Sequence, residues 1–267
     1  MRRKTMTILY HEIKSNWRTL LIWSLSIGIF SCACILLFDN VADGMKDAAT
    51  SFSKMGSFST AFGMNKLNIS TLNGYYATQI AMIVAIGGAM FAGMTGALML
   101  SKEEEGHTAE FLYTLPLSRT SIVVKKYFSL FILVALFNVI VMGLDLLALV
   151  YLGKSFDFDA YYIYHLFAFL MQLEIASICF MISAISKRKP IGLALGIAIM
   201  AYLLDVMCRI ISKIKFVKYV TPFYYSNASD IFVKTKPAAI HIIIACLVII
   251  CSFIISLLIN QSRDISS

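Results

Sequence analysis

The sequence predicts an all-α integral membrane protein with six transmembrane helices, an N-terminal amphipathic interfacial helix and a further short helix in the polar insert between spans two and three. Three observations predict it. Of 267 residues, 59% are hydrophobic and only 14% charged, and the mean hydropathy of +0.79 lies far outside the range of soluble domains. The apolar residues run in long continuous segments, which suits membrane helices rather than the short alternating strands of an outer-membrane barrel. Lysine and arginine collect beside those segments, where they orient the chain and meet anionic lipid, so the formal charge of +8 points to a membrane surface and not to nucleic acid.

Taken in order, residues 1–18 read as an interfacial arm, with Met6, Leu9, Ile13 and Trp17 on one face and Lys4, His11, Lys14 and Arg18 largely opposite. A simple anchor would look the same. Spans follow at about 19–38, 74–100, 127–152, 161–185, 190–211 and 238–259, all within one domain covering 1–267. Span two carries two small-residue faces, Gly88, Ala92, Gly96 and Ala85, Ala89, Gly93, Ala97, suited to close packing within the chain or against a second copy; Gly192 and Gly196 form a similar pair in span five. Pro190 is acceptable in the first turn of that span. The six cysteines all fall inside spans and are expected to be free thiols. No metal-ligand spacing and no phosphate-binding loop occur, so neither a metal nor ATP is expected on this chain.

The longest polar insert on the inward side, 101–119, separates spans two and three. It opens with Glu103, Glu104, Glu105 and Gly106, continues as a short helix with Phe111, Leu112 and Leu115 on one side, and stops at Pro116. Ser118 is positioned to cap the next helix. Acidic residues at a helix start are favoured by its dipole and can meet a partner's basic groups, although a loop of this kind can equally be merely solvated.

Within the spans, Asp145, Glu174 and Asp205 are costly at membrane depth and must pair, protonate or face water. Arg209 lies one turn from Asp205 and can pair with it. The sequence leaves a structural role and a place on a transport path equally open for these acids. His165 reads as an interfacial group.

The order Glu, Gly106, Glu110, Leu112, Pro116, Ser118, Arg119 resembles the first cytoplasmic loop of ABC-2 type, type V exporter-like, ABC transporter permeases of bacteria. Many members read Gly-Thr-x-Glu there, whereas this chain reads Gly106, His107, Thr108, Ala109, Glu110. The arm before span one and the segment between spans five and six also resemble that family, in which short re-entrant or surface helices cap the path on the outer side. The resemblance implies a permease subunit of an exporter, in the bacterial plasma membrane, with both termini cytoplasmic. It implies a separate cytosolic ATPase that holds ATP and Mg, and a second permease subunit, identical or sister. The coupling helix would present Glu103, Glu104, Gly106, Glu110, Phe111, Leu112, Pro116 and Arg119 to the ATPase. The reading from another class is an ion-coupled secondary transporter using Glu174 or Asp145 as its proton site.

Overall fold

The computed structural model describes residues 2–42, 44, 56–106, 118–235 and 237–262. Six helices among them are long and apolar enough to cross a membrane. They are α1 (Arg2–Leu36), α3 (Leu72–Glu105), α4 (Arg119–Leu152), α5 (Phe158–Ile185), α6 (Ile191–Ile210) and α8 (Ala239–Ser262), with two short helices, α2 (Ser57–Ala61) and α7 (Ala228–Phe232), between them. No strand occurs among the described residues.

No separate interfacial helix precedes the first span. Neither proline nor glycine falls between Arg2 and Ile27, so nothing interrupts the hydrogen-bond ladder and α1 runs unbroken for 35 residues. Its inward stripe is not the apolar face expected from the sequence. Ile8, Glu12, Leu20, Ser24, Ser31 and Ile35 are buried, while Trp17 remains 47% exposed. The small members of that stripe admit α4, and a Cβ on Gly28 would meet the Leu144 side chain at 2.6 Å.

The centre of the bundle is α3, which packs along α5 and also meets α4 and α6; α1 lies along α4, and α8 lies along α5. Both small-residue faces of α3 are spent inside the chain. Ala85, Ala89 and Ala97 share a buried cluster with Ile175, Cys179, Ala194 and Ala198, and a Cβ on Gly96 would collide with the Ala176 carbonyl. The expected pair in span five behaves differently: no described atom lies within 4 Å of where a Cβ on Gly192 or Gly196 would stand, so neither glycine is needed for packing here.

Local sequence sets the ends of these helices. Ser118 caps α4, accepting from the Ser121 N–H at 3.2 Å, and Gly153, at φ +63°, closes it in the left-handed conformation that glycine adopts without steric cost. Asp157 caps α5 through the Ala160 N–H at 3.0 Å. Pro190 occupies the capping position of α6 rather than its first turn. Near its outset α3 widens into a π-helical turn at Tyr76–Ile80, a feature often found at functional positions. After α6 the chain forms a 3-10 segment, Ser212–Tyr219, then dips back into the bundle. The Thr221 hydroxyl donates to the Ala201 carbonyl at 2.6 Å, about 14 Å along α6 from its end at 1.5 Å per residue. Phe223, Tyr225, Ile231 and Phe232 are buried there, forming a re-entrant wedge.

Candidate functional site

The richest charged cluster among the described residues lies where α3 ends and α4 begins, at the two roots of the 107–117 segment. Glu103, Glu104 and Glu105 occupy the last turn of α3, with Gly106 as its C-cap, and so do not head a helix. At that end the dipole opposes negative charge, and the acids need cations. Lys126 of α4, 1% exposed, supplies one: its Nζ donates to Glu103 at 2.9 Å, to Glu12 of α1 at 2.5 Å and to the Met99 carbonyl at 2.8 Å. Lys102 completes the clamp by donating to the other oxygen of Glu12 at 2.5 Å. Three helices are thereby joined at the two roots of the loop.

The remaining spans reach the same region. Glu105 accepts from the Lys189 backbone N–H at 2.6 Å and pairs with its Nζ at 3.2 Å, tying α3 to the α5–α6 turn. The Arg119 guanidinium donates to the Gln261 carbonyl at 3.3 Å, and the Gln261 amide donates to Thr120 at 2.9 Å, bringing in the end of α8. The Glu12 turn of α1 and the end of α8 therefore lie on the same side of the bundle as Gly106 and Ser118. Of the residues anticipated for that loop, Glu103, Glu104, Gly106 and Arg119 sit at its roots, while Glu110, Phe111, Leu112 and Pro116 lie outside the described residues.

The intramembrane acids do not converge. Asp145, fully buried, accepts from Ser31 of α1 and from the Tyr76 hydroxyl at 3.3 Å, and the same hydroxyl lies 3.1 Å from His165 Nε2. Tyr76 belongs to the π-helical turn, and its ring is enclosed by Phe156, Tyr161, Tyr164 and Phe232. Glu174 accepts from Tyr225 of the re-entrant wedge at 2.9 Å. Close to it the Asn138 amide donates to Gln172 at 2.6 Å, linking α4 and α5 across the middle of the bundle.

A profile describing ABC-2 family transporter proteins matches residues 6–264, nearly the whole chain. The chain belongs to the ABC-2 family. It is thus the membrane permease of an ABC transporter, a transport subunit that is not itself catalytic, in a family whose permeases work with an ABC ATPase. Among curated proteins none matches.

The permease's third acid sits in a network that the sequence shows only in part. Asp205 accepts from Arg209 Nε at 3.0 Å, the expected pair one turn apart. The same guanidinium goes on to Asp230 of α7 at 3.0 Å and to the Tyr224 carbonyl at 3.2 Å, lies over the Tyr224 ring, and Asp230 also pairs with Lys66. The network fastens the wedge to α6 and to the segment after α2. Beneath it Thr78, Tyr202, Asp205, Phe223, Ser226 and Asn227 line a cavity of about 40 Å³, room for water but not for a larger solute.

Burial of Asp230 pushes its carboxyl up, but Arg209 and Lys66 outweigh burial and hold it below its ordinary value of 3.8. A carboxylate with a depressed folded pKa stabilises the fold above its unfolded value and loses that contribution as pH falls through the folded one. The Asp230→Asn permease is accordingly expected to melt at a lower temperature than the unaltered chain at pH 7, with the difference closing as pH falls below 3.8. A difference independent of pH would show that the carboxylate charge is not what holds the wedge.

Glu12, Lys126, Asp230 and Tyr76 escape sequence reading because each looks ordinary by itself. Lys126 reads as a topological flank, and Glu12 belongs to no pattern read from the sequence. The available signal for Glu12 is its spacing: it falls four residues after Ile8 and eight before Leu20, on the stripe that becomes the inner face.

Proposed function

We propose that this permease is the membrane half of an ATP-driven exporter whose 107–117 loop receives movement from a separate cytosolic ATPase carrying ATP and Mg. The observation that carries the reading is that the roots of that loop are hydrogen-bonded or ion-paired to α1, α4, the α5–α6 turn and α8, so force applied to the loop reaches most of the bundle at once. Phe111 and Leu112 fill a groove of the ATPase, Glu104, Glu110 and Arg119 pair with its charges, and Gly106 and Pro116 bound the helix that docks. Glu103 belongs to the clamp and fixes the loop to Lys126.

In this reading both termini face the cytoplasm of a bacterial cell, which the contacts of Glu12 and Gln261 beside the roots of the 107–117 segment support, and a second permease subunit, identical or sister, completes the transporter. The wedge and its Arg209 network close the outer side. Asp145 and Asp205 hold the outer half together through Ser31 and Arg209, and Glu174 ties the wedge to the middle of α5 through Tyr225.

The test is co-expression with the ATPase encoded nearest to this chain, detergent capture, and ATPase assay of the captured complex, repeated with Glu110→Lys. The unaltered permease is expected to capture an active ATPase, and the variant to lose at least about tenfold of that capture through charge reversal at the groove, while still inserting in the membrane. Capture indifferent to Glu110 would overturn the docking assignment. Failure to capture any ATPase would turn attention to an ion-coupled transporter and to Glu174.

A further inference from the structure

At the opposite end of the bundle from the loop, the first turns of α5, the end of α7 and the residues Lys234, Thr235 and Pro237 that follow it line a groove of about 540 Å³. Its floor and flanks are apolar: Ala160, Ile163, Leu166 and Phe167 of α5 face Ile231 and Pro237. Ile163 is 46% and Leu166 64% exposed, so the groove opens sideways toward lipid as well as endwise toward water. From Asp159 to Phe167 it descends about 12 Å along α5 at 1.5 Å per residue, from the polar boundary into the hydrocarbon.

The mouth carries opposite charges on facing walls. Asp159 stands on the α5 side and Lys234 on the α7 side, and both are exposed. Among the described residues neither forms an ion pair, with the other or with anything else, so the two charges lie across a gap instead of neutralising one another. Lys234 is also the sole non-glycine with positive φ among the described residues, at +60°, where glycine is the usual occupant after a helix. Lysine adopts that conformation only at a steric cost that glycine would not meet.

Both walls are fixed before anything binds. Asp157 caps α5, and its backbone N–H donates to the Asn73 side chain at 3.0 Å. On the other wall the Lys234 N–H donates to the Ile231 carbonyl at 2.8 Å, the Thr235 N–H donates to the Asp230 carbonyl at 2.9 Å, and the Asp230 carboxylate is itself held by Arg209 and Lys66.

We propose that this groove is a site for one zwitterionic phospholipid bearing a primary ammonium, with its phosphate on Lys234, its ammonium on Asp159 and an acyl chain against Ile163, Leu166 and Phe167. The chemistry selects among headgroups. A phosphate is a strong acceptor for lysine, and an ammonium donates hydrogen bonds to a carboxylate as a quaternary choline cannot. A purely anionic headgroup would meet Lys234 but bring no ammonium to Asp159. The bound lipid would bridge the start of α5 to the residues that follow α7, matching the two mouth charges that the described residues leave without an ion pair. This inference does not depend on the ATPase reading.

Native mass spectrometry of the full chain in detergent, with phosphatidylethanolamine, phosphatidylcholine and phosphatidylglycerol of matched acyl chains, tests it. Phosphatidylethanolamine is expected to be retained in preference to the other two. Asp159→Asn and Lys234→Gln are each expected to weaken its retention about tenfold by removing one charge-assisted contact, and Asp159→Asn to abolish the preference over phosphatidylcholine. Ile163→Trp, at an exposed position, fills the groove and lowers retention of all three. Circular dichroism of each variant checks that the helices persist. Equal retention of the three lipids by the unaltered chain overturns the proposal, as does an unchanged preference in both charge variants. Displacement of phosphatidylethanolamine by its soluble glycerophospho headgroup would overturn the seat assigned to the acyl chain.

Discussion

Lys126→Met is expected to cost the permease about 3–5 kcal/mol, the penalty for breaking a buried ion pair by removing one partner. Methionine fills the volume of the lysine stem but leaves Glu12, 2% exposed, with only Lys102, and leaves Glu103 without its Lys126 partner. The Met99 carbonyl loses a donor as well. Thermal unfolding in detergent would register the loss. Adding Glu12→Gln to Lys126→Met is expected to restore part of it, because the second change removes the carboxylate that the first left stranded. Two losses that simply add would mean that Glu12 and Lys126 act separately, which their 2.5 Å contact does not allow.

Gly96→Leu is expected to be the more disruptive change on the opposite side of α3. A Cβ at this position runs into the Ala176 carbonyl and lies 3.2 Å from the Phe180 N–H, both rigid helix backbone, so α3 and α5 must separate before any larger side chain fits. Membrane helices gain little from hydrophobic burial against one another, and close backbone approach supplies much of their cohesion. We expect little monodisperse protein from the Gly96→Leu chain by fluorescence-detected size exclusion. Gly196→Leu is its matched comparison: nothing described stands within 4 Å of that position, and the variant should elute as the unaltered chain does. Equal behaviour of the two variants would refute the placement of α3 at the centre.

The six spans were legible in the sequence because membrane insertion is decided by the mean polarity of some 20 residues, a quantity that survives ignorance of tertiary contacts. The Ser118 cap and the Asp205–Arg209 pair were legible because both are local, set within a few residues. The faces of α1 were not. Nothing local marks Glu12 for burial, and the lysines that bury it lie 90 and 114 residues away. The acids of α3 illustrate the same point: read as a run before a helix they belong to its start, whereas Gly106 ends the preceding helix and places them in its last turn. The partners that anchor the two roots of the 107–117 segment come from four other places in the chain, and no local pattern shows them.

The two polar contacts of α1 carry a further consequence. Glu12 meets Lys126 and Ser31 meets Asp145, so the same pair of helices is riveted twice, and the rivets are 19 residues apart along each of them. Equal spacing in the same chain direction means that α1 and α4 run parallel with matched rise, about 28 Å between fastenings, close to the thickness of the hydrocarbon layer. Sliding one helix along the other would break both fastenings together, and bending either would shorten its span relative to its neighbour. The two helices therefore form a plank, and a push delivered at Lys126 would arrive at Asp145, 19 residues further along α4, with little lost to internal give.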